Sequence, residues 1–472
     1  MIDILSLKRQ EALKDHCGVF GIYAPGEEVS KITYFALHSL QHRGQESAGI
    51  AVSDGGKLRS IRNLGLVTSV FNENNLNKLK GYIAIGHNRY STTGGNTKNN
   101  IQPVIISSRG KVFAASHNGN IVNALELSKK LGNQKRISTS DTEVLVHTIN
   151  KAKGMKWSEK IMNAAPLFQG AYSIVACSKK RLYAFRDPWG IRPLVIGRLN
   201  GYYAVASETC ALETIGARYI RDVNPGEVIE VGKKGFRVLG YIAKPNRKFC
   251  LFEYVYLARP DSIFNQQLVH EVRTRSGQIL AKEAPVKADL VAAVPDSGTS
   301  AAIGFARALG IPFGEVLIKN RYIGRTFIQP EQHIREQGVK IKFNPMRKII
   351  EGKRIVIVDD SIVRGTTMKK IVEVLRKCGI AEIHLRITSP PIRWPCYYGV
   401  DTPDKKQFIA NGKTVSQIKK YIGADSLHYL SLSGLIEASR QDKNNLCHAC
   451  FSGEYPVKVN TNFRKNVFES NC

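Results

Sequence analysis

The segment from residue 354 to 367 constrains the fold of this chain more than any other. It opens with four consecutive β-branched residues, 355–358, a pattern typical of a central parallel strand covered on both faces. The segment continues with two acids, a glycine and two threonines: Asp359, Asp360, Gly365, Thr366 and Thr367. A glycine turn rich in amide and hydroxyl donors at the start of a helix predicts a site for a phosphate group.

The residues that follow predict a helix and a further strand. Apolar residues first recur at helical spacing and then alternate: Met368, Ile371, Val372 and Leu375, followed by Ile383, Leu385 and Ile387. In a parallel sheet of such units, ligands bind at the carboxyl ends of the strands, where the two acids fall. Carboxylates beside a phosphate site suit a sugar phosphate whose hydroxyls, or a bound Mg²⁺, face the acids.

Residues 356–367 resemble the ribose 5-phosphate signature of the type I phosphoribosyltransferases, which bind phosphoribosyl pyrophosphate (PRPP). A strand that ends in an acidic turn is common, but here the acids, the glycine and the threonines all stand in register with the signature. The resemblance implies that the sugar phosphate is bound by Asp359, Asp360, Ser361, Arg364, Gly365, Thr366 and Thr367.

A second strand-to-loop turn precedes this segment. Residues 290–294 form an apolar run that predicts a buried strand, and a Pro-Asp-Ser-Gly-Thr-Ser turn follows it. By itself this is an ordinary turn before a helix capped by Thr299 or Ser300. The family resemblance implies instead a pyrophosphate site and one Mg²⁺ per subunit. The residues implied are Asp296, Ser297, Gly298 and Thr299 for pyrophosphate, and Ser297, Asp359 and Asp360 for Mg²⁺.

Residues 319–330 form a basic, aromatic and glycine-containing stretch between a predicted strand and an irregular segment. An Arg- and Lys-rich loop is usually just solvated. This stretch, however, resembles the lid of the amidophosphoribosyltransferases, whose closure excludes water and brings cations to the departing pyrophosphate. The resemblance implies that Lys319 and Arg325 make this contact.

Length and composition bound the remaining possibilities. A chain of 472 residues, 43% of them hydrophobic, is long enough for roughly two to four folded domains. It has no apolar run of about 18 residues, and its charged first sixteen residues lack the apolar core of a secretory signal. A net charge of +30 raises nucleic acid as a partner, but the charge is spread out and no DNA-reading signature accompanies it. We therefore expect a cytoplasmic protein with neither a membrane nor a nucleic-acid partner.

The N-terminal half begins, after a charged leader, with an abrupt apolar segment at Cys17. A cysteine at the start of a strand is most often structural. The alternative is a nucleophile whose base is its own α-amino group, which has a pKa of about 8 and is a usable base at neutral pH. That arrangement requires the removal of residues 1–16, which we expect to be a propeptide.

Polar clusters between strand-like runs accompany this cysteine; they lie at residues 40–49, 86–92, 117–120 and 140–143. Together with Cys17 they resemble the class II glutamine amidotransferase domain, whose nucleophile is N-terminal. The resemblance implies that Cys17 attacks the side-chain amide of glutamine. It also implies that the oxyanion is stabilised by the side chain of Asn118 and the backbone N–H of Gly119.

The same resemblance supplies the groups that bind free glutamine. Arg89 would hold the substrate carboxylate, because a guanidinium matches carboxylate geometry, and Thr92 would assist it. Asp141 would pair with the α-ammonium group and so select free glutamine over a glutaminyl peptide. Arg89 or Asp141 alone would more simply be a surface ion pair, so the hypothesis depends on the whole set.

Nine cysteines in a chain without a secretory signal do not predict a disulfide framework. Cys447 and Cys450 form a CxxC pair, whose thiolates can share one metal or cluster. Spacing alone leaves zinc, an iron–sulfur cluster and a redox pair open. Several others have no motif around them, and the first three of these are most simply small buried hydrophobic residues: Cys177, Cys210, Cys378 and Cys472.

Four cysteines match the ligands of a [4Fe–4S] cluster in the Bacillus-like branch of the amidophosphoribosyltransferases: Cys250, Cys396, Cys447 and Cys450. That branch also carries a cleaved propeptide. The resemblance therefore implies one [4Fe–4S] cluster per subunit, which would join the C-terminal tail to the domain junction. We expect such a cluster to be structural or oxygen-sensing rather than to pass electrons to the substrate.

The chain divides into two predicted domains behind the propeptide. Residues 186–194 and the Ser207-Glu208 pair also match the first domain, and we interpret them as framework without a catalytic role, with Pro and Gly forming a rigid turn around a buried Trp189. A polar bridge at residues 244–248 marks the boundary. We expect residues 17–243 to form an Ntn-hydrolase αββα glutaminase domain. Residues 244–472 would form a type I phosphoribosyltransferase domain with a parallel sheet and a cluster-binding tail.

These resemblances together cover the chain from Cys17 to about residue 455 and imply an amidophosphoribosyltransferase. Such an enzyme hydrolyses glutamine and passes the ammonia inside the protein to PRPP, giving 5-phosphoribosylamine, pyrophosphate and glutamate. This is the first step of purine biosynthesis. The family further implies a homotetramer that is inhibited by purine nucleotides, namely AMP, GMP, ADP and GDP.

Two other functions compete with this interpretation. A PRPP-sensing transcriptional regulator would keep the phosphoribosyl fold and use the positive charge on DNA, but it would not explain Cys17, Arg89, Asn118 and Asp141. A glutamine–fructose-6-phosphate amidotransferase would share the first domain only and would lack the paired acids of the second. Retained glutaminase activity argues against the former, and binding of PRPP argues against the latter.

Overall fold

The computed structural model describes residues 17–90, 97–108, 110–132, 136–319, 343–402 and 405–459. The first half of the chain is built on two antiparallel sheets. One sheet has seven strands, in the spatial order Arg218–Asp222, Val195–Leu199, Tyr202–Ala206, Gly18–Tyr23, Ile83–Arg89, Ser47–Ser53 and Leu58–Leu64. The other has six strands, in the order Gly235–Tyr241, Glu227–Gly232, Leu182–Arg186, Gly170–Ser178, Lys111–Ile121 and Val104–Ser108.

The two sheets pack face to face and helices cover their outer faces. Val19 and Ile85 of the seven-stranded sheet share a buried cluster with Val175 and Ala184 of the other. Alternation along each strand sends the remaining apolar side chains outward, where they meet helices. The helices over the seven-stranded sheet are Val29–Ser39 and Thr209–Thr214, and those over the six-stranded sheet are Ala124–Leu131, Asp141–Lys151 and Trp157–Ala164. The predicted αββα arrangement is confirmed.

The second half contains a four-stranded sheet in which every strand pair is parallel. Its strands are Leu290–Ala293, Arg354–Asp359, Glu382–Ile387 and Ser426–Tyr429. Helices Val269–Glu283 and Thr299–Leu309 lie on one face, and Thr366–Lys377 and Val415–Ile422 lie on the other. The β-branched run is buried on both faces, as predicted: Ile355 and Ile357 join one cluster, and Val356 and Val358 join the other.

The two helices on the first face cross at glycines. A methyl group on Gly277 would lie 1.9 Å from the carbonyl oxygen of Ala301, and one on Gly304 would lie 2.0 Å from that of Thr274. Only the absence of a side chain permits this approach. The crossing fixes the helix that begins at Thr299, directly behind the predicted pyrophosphate turn.

Shorter elements complete the described chain. They include a π-helical turn at Glu253–Leu257 and three two-stranded ladders: Phe249–Cys250 with Leu446–Cys447, Ile263–Phe264 with Gln267–Leu268, and Leu317–Lys319 with Phe343–Pro345. The short helices are Val67–Val70, Glu73–Leu76, Arg347–Ile350, Leu432–Ser439 and Ala449–Ser452; the 3₁₀ turns are Lys98–Asn100, Ala165–Leu167, Lys405–Gln407 and Lys443–Asn445. Within the described ranges no helix is both long and apolar enough to span a bilayer.

Two details differ from the sequence-based expectations. The helix after the second turn begins at Thr299 with Gly298 as its N-cap and no side-chain cap, so capping by Thr299 or Ser300 is wrong. Trp189, expected to be buried within its Pro/Gly turn, is only half-buried. At the first turn Gly298 lies against the Val358 carbonyl oxygen, and at the second the Asp187 side chain accepts a hydrogen bond from the Trp189 N–H at 3.0 Å.

Candidate active sites

Cys17 stands immediately before the central strand Gly18–Tyr23 of the seven-stranded sheet. Antiparallel pairing of Gly18 with Asn88 brings Arg89, at the end of the neighbouring strand, beside the cysteine. The Cys17 thiol is buried and donates to the carbonyl oxygen of Tyr90 at 3.4 Å. Burial raises the pKa of this thiol to about 11. At neutral pH it is therefore protonated and needs a base before it can act as a nucleophile.

Arg89 is buried at the same place, and burial lowers the pKa of its guanidinium against the opposing influence of Cys17, Glu46 and Asp141. Glu46, which the sequence did not single out, lies beside this arginine. Its N–H donates to the Arg89 carbonyl at 3.1 Å, at the start of a strand that pairs Ser47 with Arg89. Its position inside the first polar cluster was the only local signal. Thr92 lies outside the described residues.

Asn118 and Gly119 lie on the long strand Lys111–Ile121 of the six-stranded sheet. The Asn118 side chain is fully buried, and within the described chain neither its amide nitrogen nor its oxygen has a hydrogen-bond partner. Gly119 has a φ of +146°, and a methyl group there would lie 2.0 Å from the carbonyl oxygen of Ala171, so only glycine fits. Buried amides are nearly always satisfied, which makes Asn118 a candidate donor to a bound ligand.

Asp141 is the first residue of helix Asp141–Lys151. Its Oδ2 accepts a hydrogen bond from the Ile121 N–H at 3.0 Å and lies 3.6 Å from His117 Nδ1. The carboxylate is therefore tied to the strand that carries Asn118. It also lies close enough to Cys17 to influence the pKa of that thiol. The structure thus brings Cys17, Arg89 and Asp141 close together, and Asp141 is bound to the strand that carries Asn118 and Gly119.

The second site lies at the carboxyl end of the parallel sheet, where strand Arg354–Asp359 ends. The Asp360 N–H donates to Asp359 Oδ1 at 2.9 Å. The hydroxyls of Ser297 and Ser361 both donate to the Asp360 carboxylate, the latter at 2.5 Å. Asp360 is buried, and burial raises the pKa of its carboxyl group. Ser297 comes from the second turn, so the two predicted turns meet at this carboxylate.

Helix Thr366–Lys377 begins one residue after Gly365, which has a φ of +77°. The first-turn N–H groups of this helix have no intrahelical acceptor, so they are available to an anion. Thr366 and Thr367 both lie in that turn. The Thr366 hydroxyl is shielded from solvent and has no hydrogen-bond partner in the part of the chain that the structure describes. Arg364 donates to Gln407 nearby.

The remaining predicted PRPP residues border the same end of the sheet. Gly298 approaches the strand so closely that a methyl group there would lie 2.6 Å from the Val358 carbonyl oxygen. Lys319 pairs with the carboxylate of Asp296, and both side chains are exposed. Thr299 opens the helix that follows. Arg325 and the rest of the predicted lid beyond Lys319 lie outside the described residues.

Two carboxylates and a serine hydroxyl are a donor set that fits Mg²⁺. This ion prefers oxygen ligands and is usually held by one or two carboxylates together with water and substrate phosphates. Asp359, Asp360 and Ser297 supply such oxygens beside the helix N-terminus that would receive the phosphate.

A third site lies at the junction of the two halves. The sulfur-bearing side chains of four cysteines line one cavity: Cys250, Cys396, Cys447 and Cys450. Cys250 and Cys447 are paired directly in a parallel ladder, and all four are free thiols. The Cys396 sulfur accepts from the Tyr398 N–H at 3.4 Å, and the Arg192 guanidinium lies 4.0 Å away.

Four free thiols around one cavity supply the donor type that both zinc and iron–sulfur clusters take. Among the described residues, no three or more Cys, His, Asp or Glu side chains are grouped so as to hold a single metal ion. Thiolates that bind different irons of one cluster lie farther apart than thiolates on one ion. Phe252, Ile392 and Val400 supply apolar walls. Burial raises the pKa of the Cys250 thiol to about 11, so iron would have to displace its proton.

Arg192 was expected to be framework, but it links this cavity to the rest of the protein. Its side chain is fully buried, donates to Glu253 at 3.1 Å and lies against Cys396. No local motif marks this role, because the residues that Arg192 joins are 61 and 204 positions away.

Comparison with known proteins gives matches in both halves. Residues 87–214 match the model of a glutamine amidotransferase domain, and residues 261–389 match that of a phosphoribosyl transferase domain. The chain is 47% identical over 456 residues to the amidophosphoribosyltransferase of Bacillus subtilis, covering 95% of this chain and 96% of that protein. It is 49% identical over 463 residues to the amidophosphoribosyltransferase of Synechococcus elongatus, covering 96% and 94%.

Solved structures give the same result. The glutamine PRPP amidotransferase of B. subtilis, complexed with ADP and GMP, superposes with a TM-score of 0.89 at 46% identity, covering 94% of this chain and 98% of that one. A structure described as the allosteric regulatory enzyme of purine biosynthesis superposes with a TM-score of 0.90 at 46% identity, covering 94% and 97%.

Proposed function

Because the chain belongs to the amidophosphoribosyltransferase family, we propose that it hydrolyses glutamine at Cys17 and transfers the ammonia to PRPP. The products are 5-phosphoribosylamine, pyrophosphate and glutamate, and the reaction is the first step of purine biosynthesis. The phosphoribosyl transferase match argues against a glutamine–fructose-6-phosphate amidotransferase, which would share the first domain only. The amidotransferase match argues equally against a regulator that only senses PRPP.

The glutamine reaction begins with the loss of residues 1–16. Removal of this propeptide frees the α-amino group of Cys17, whose ordinary pKa of about 8 makes it a base at neutral pH. The amine takes the thiol proton as the sulfur attacks the amide carbon of glutamine. Burial raises the pKa of the Cys17 thiol to about 11, so the proposed mechanism requires this base.

Asn118 and Gly119 stabilise the negative oxygen that forms on the amide carbon. The Asn118 side-chain amide and the Gly119 backbone N–H donate to it. Arg89, assisted by Thr92, binds the substrate carboxylate, and Asp141 binds the α-ammonium group. The charges on Arg89 and Asp141 are both close enough to influence the pKa of Cys17, which supports a common substrate for all three residues.

In the second site the same end of the sheet binds both parts of PRPP. The ribose 5-phosphate lies at the N-terminus of helix Thr366–Lys377, bound by residues of the first turn: Ser361, Arg364, Gly365, Thr366 and Thr367. The pyrophosphate lies at the turn formed by Asp296, Ser297, Gly298 and Thr299. Ammonia displaces the pyrophosphate at the anomeric carbon, with inversion.

Asp359 and Asp360 hold the ribose hydroxyls while positive charge develops on the anomeric carbon. Together with Ser297 they also hold one Mg²⁺ per subunit, which would neutralise the leaving pyrophosphate. Lys319 and Arg325 add cations from the lid. The ion pair between Lys319 and Asp296 supports this placement, since it holds the ammonium at the proposed pyrophosphate turn.

At the domain junction, Cys250, Cys396, Cys447 and Cys450 bind one [4Fe–4S] cluster per subunit. Their common cavity and free thiols support the assignment. The cluster would supply a rigid link between the C-terminal tail and the rest of the chain. We assign the cluster a structural or oxygen-sensing role. We place the boundary between the two domains near residue 243.

Regulation and assembly form the last part of the proposal. A similar structure from B. subtilis is a complex with ADP and GMP, which supports feedback inhibition of this chain by purine nucleotides, including AMP and GDP. The assembly would be a cytoplasmic homotetramer without membrane or nucleic-acid partners. Inhibition of ammonia-dependent activity by each nucleotide, and the mass in solution, test these two statements.

The observation that carries the proposed function is the buried side-chain amide of Asn118, which no described protein group satisfies. The test compares two nitrogen sources in the variant Cys17→Ala. We expect this variant to lose pyrophosphate release with glutamine and to retain it with ammonium salts. Cys177→Ala is the matched control, because this cysteine is equally buried in the same half but lies away from the site. Glutamine-dependent activity in Cys17→Ala at the control rate would contradict the proposal.

A further inference from the structure

A continuous series of buried polar contacts connects Cys17 with the cysteine cavity. The Nε of Arg43 donates to the Cys17 carbonyl oxygen at 3.4 Å, and its Nη2 donates to Glu253 Oε1 at 2.8 Å. The same Glu253 oxygen accepts from Arg192 Nη1 at 3.1 Å. Arg192 Nη2 then lies 4.0 Å from Cys396 Sγ. Three side chains therefore join the nucleophile of one site to a cysteine of another.

These side chains are removed from water. Arg43 is 1% exposed, and Arg192 and Glu253 are 0% exposed. Glu208 is also buried and pairs with Arg43. The negative charges of Glu208 and Glu253 therefore balance the positive charges of Arg43 and Arg192. In a dry interior charges interact strongly, and an ion that loses its partner has no water to replace it. A displacement of Arg192 is therefore opposed by Glu253 and passed to Arg43 rather than absorbed by solvent.

A second connection runs through the backbone after Cys396. Arg192 Nε donates to the Tyr398 carbonyl at 2.9 Å, and the side chain of Asn120 donates to the Tyr397 carbonyl at 2.8 Å. Gly399 packs against Gly119 so closely that a methyl group on Gly399 would lie 3.1 Å from the Gly119 Cα. The loop that carries Cys396 thus supports the strand that carries the oxyanion donors.

We infer that Arg192 and Glu253 are positioning residues for the glutamine reaction, which make the placement of Cys17 depend on what holds Cys396 in the cavity. This inference rests on the proposed function, since it takes Cys17 as the nucleophile and an iron–sulfur cluster as the occupant of the cavity. Cys396 would be held in place as a ligand of the cluster. Cys396 would then hold Arg192, which holds Arg43 and Cys17 through Glu253. It would also hold residues 397–399, which pack against Gly119.

The dependence is selective for one of the two reactions. The contacts run to Cys17 and Gly119 in the first half, and none of them involves the Asp359 and Asp360 carboxylates of the PRPP site. Loosening the series should therefore impair the glutamine reaction while ammonia-dependent pyrophosphate release continues.

The test uses the whole chain, purified without oxygen and with its cluster bound. The measured quantity is the rate at which the glutamine analogue 6-diazo-5-oxonorleucine alkylates Cys17, followed by intact mass. We expect R192L to slow alkylation by about tenfold or more, the equivalent of at least one charge-assisted hydrogen bond. R192K, which keeps the charge, should restore part of the rate. R386L is the matched control, because Arg386 is equally buried but donates to Ala284 in the second half.

The reduction potential of the cluster is the second readout, because it reports directly whether the Arg192 charge acts on Cys396. Hydrogen bonds and positive charge at a cluster sulfur favour the reduced form, so R192L should shift the potential to more negative values. Ammonia-dependent activity should stay within about twofold of the unaltered chain, which shows that the second half remains folded.

Alkylation of R192L at the rate of the unaltered chain would overturn the inference. If R192L does not fold, E253Q decides in its place, because it keeps the volume and removes only the charge; an unchanged alkylation rate in E253Q has the same meaning. Failure of the proposed function has a different signature. In that case the unaltered chain itself would not be alkylated at Cys17 or would carry no iron.

Discussion

Asn118 and Thr366 each bury a polar group that no described protein group satisfies, one in each half of the chain. An unpaired buried donor costs about 1–3 kcal/mol, and a bound ligand that pairs with it removes that cost. In both places the group lies where a substrate oxygen is expected, an oxyanion in the first half and a phosphate in the second. At the scale of single residues, function is thus visible as unused hydrogen-bonding capacity.

Replacing Asn118 should separate activity from stability. We expect Asn118→Leu to reduce the rate of glutamine hydrolysis by about 100- to 1,000-fold, because a donor to the oxyanion is lost. The free energy of unfolding should not fall, since the amide makes no protein hydrogen bond to lose. Steady-state kinetics and urea denaturation check the two parts.

Asn123→Leu is the matched control for that experiment. The Asn123 side chain donates to the Leu167 carbonyl and accepts from the Gln169 N–H, each at 3.0 Å. We expect this variant to lose stability and keep its rate of glutamine hydrolysis. A stable Asn118→Leu protein with full activity would show that Asn118 is not an oxyanion donor.

Replacing Thr366 should weaken the binding of PRPP and leave the stability of the protein almost unchanged. Thr366→Val removes a hydroxyl that has no described partner, so we expect an increase of about tenfold in the KM for PRPP from the loss of one hydrogen bond to a charged phosphate. Stability should change little. In Thr148→Val, whose hydroxyl donates to Val144 at 2.8 Å in another helix, the KM for PRPP should stay at its original value.

His87 should make the folded state sensitive to mild acid. Burial lowers the pKa of this imidazole to about 3 from an ordinary value of 6.5. The unfolded chain binds the proton near pH 6.5 and the folded chain does not. The free energy of unfolding is therefore unaffected by this group above pH 6.5. It decreases as the pH falls from 6.5 toward 3, because only the unfolded chain gains the proton. Between pH 7 and pH 5 we expect a loss of about 2 kcal/mol from this group.

His87→Gln isolates that contribution. Glutamine can still donate to the His117 carbonyl, which His87 Nε2 contacts at 3.1 Å, but it does not titrate. The difference in the free energy of urea unfolding between pH 7 and pH 5 should be smaller in the variant by the same amount. An identical acid response in both proteins would show that His87 is not held neutral by its burial.

At the scale of helices and strands, the sequence was sufficient to predict those elements whose apolar residues recur at a regular spacing. The β-branched run and the alternating Ile383, Leu385 and Ile387 predicted two adjacent parallel strands, and the structure contains both. The start of the helix after the second turn was less predictable. Its N-cap is Gly298, chosen by the close approach of the Val358 carbonyl and not by a capping side chain.

The helix crossing at Gly277 provides a prediction at this scale. Gly277→Ala would place a methyl group 1.9 Å from the Ala301 carbonyl oxygen, so the two helices must move apart. We expect a loss of about 1–3 kcal/mol in the free energy of unfolding, together with an increased KM for PRPP, because the displaced helix carries the pyrophosphate turn. Gln278→Ala, one residue further along the same helix, should change stability by less than about 0.5 kcal/mol.

At the scale of the whole molecule, the two halves share one interior. A single apolar cluster contains Phe20 and Leu37 of the first half together with Phe305 and Val358 of the second. The charged series from Arg43 to Arg192 crosses the same junction. Two active sites in one chain are therefore joined by packing and by buried ions, and not by a linker alone.

This junction is also what the sequence could not predict. Each glutamine-site and PRPP-site residue stands in a short motif, and family resemblance was enough to nominate it. Arg43 and Glu253 meet across 210 positions, and no local period or motif marks either as the partner of the other. Long-range pairing of buried charges is decided by the packing of the two halves, which only the three-dimensional structure supplies.

The most direct test of the two-site enzyme is the intact mass of the active protein after reaction with 6-diazo-5-oxonorleucine. The expected result is a chain that begins at Cys17 and carries one adduct, mapped to that residue, with glutamine-dependent activity lost and ammonia-dependent activity retained. An active full-length chain that still carries residues 1–16, or an adduct on any other residue, would contradict the assignment of Cys17 as an N-terminal nucleophile.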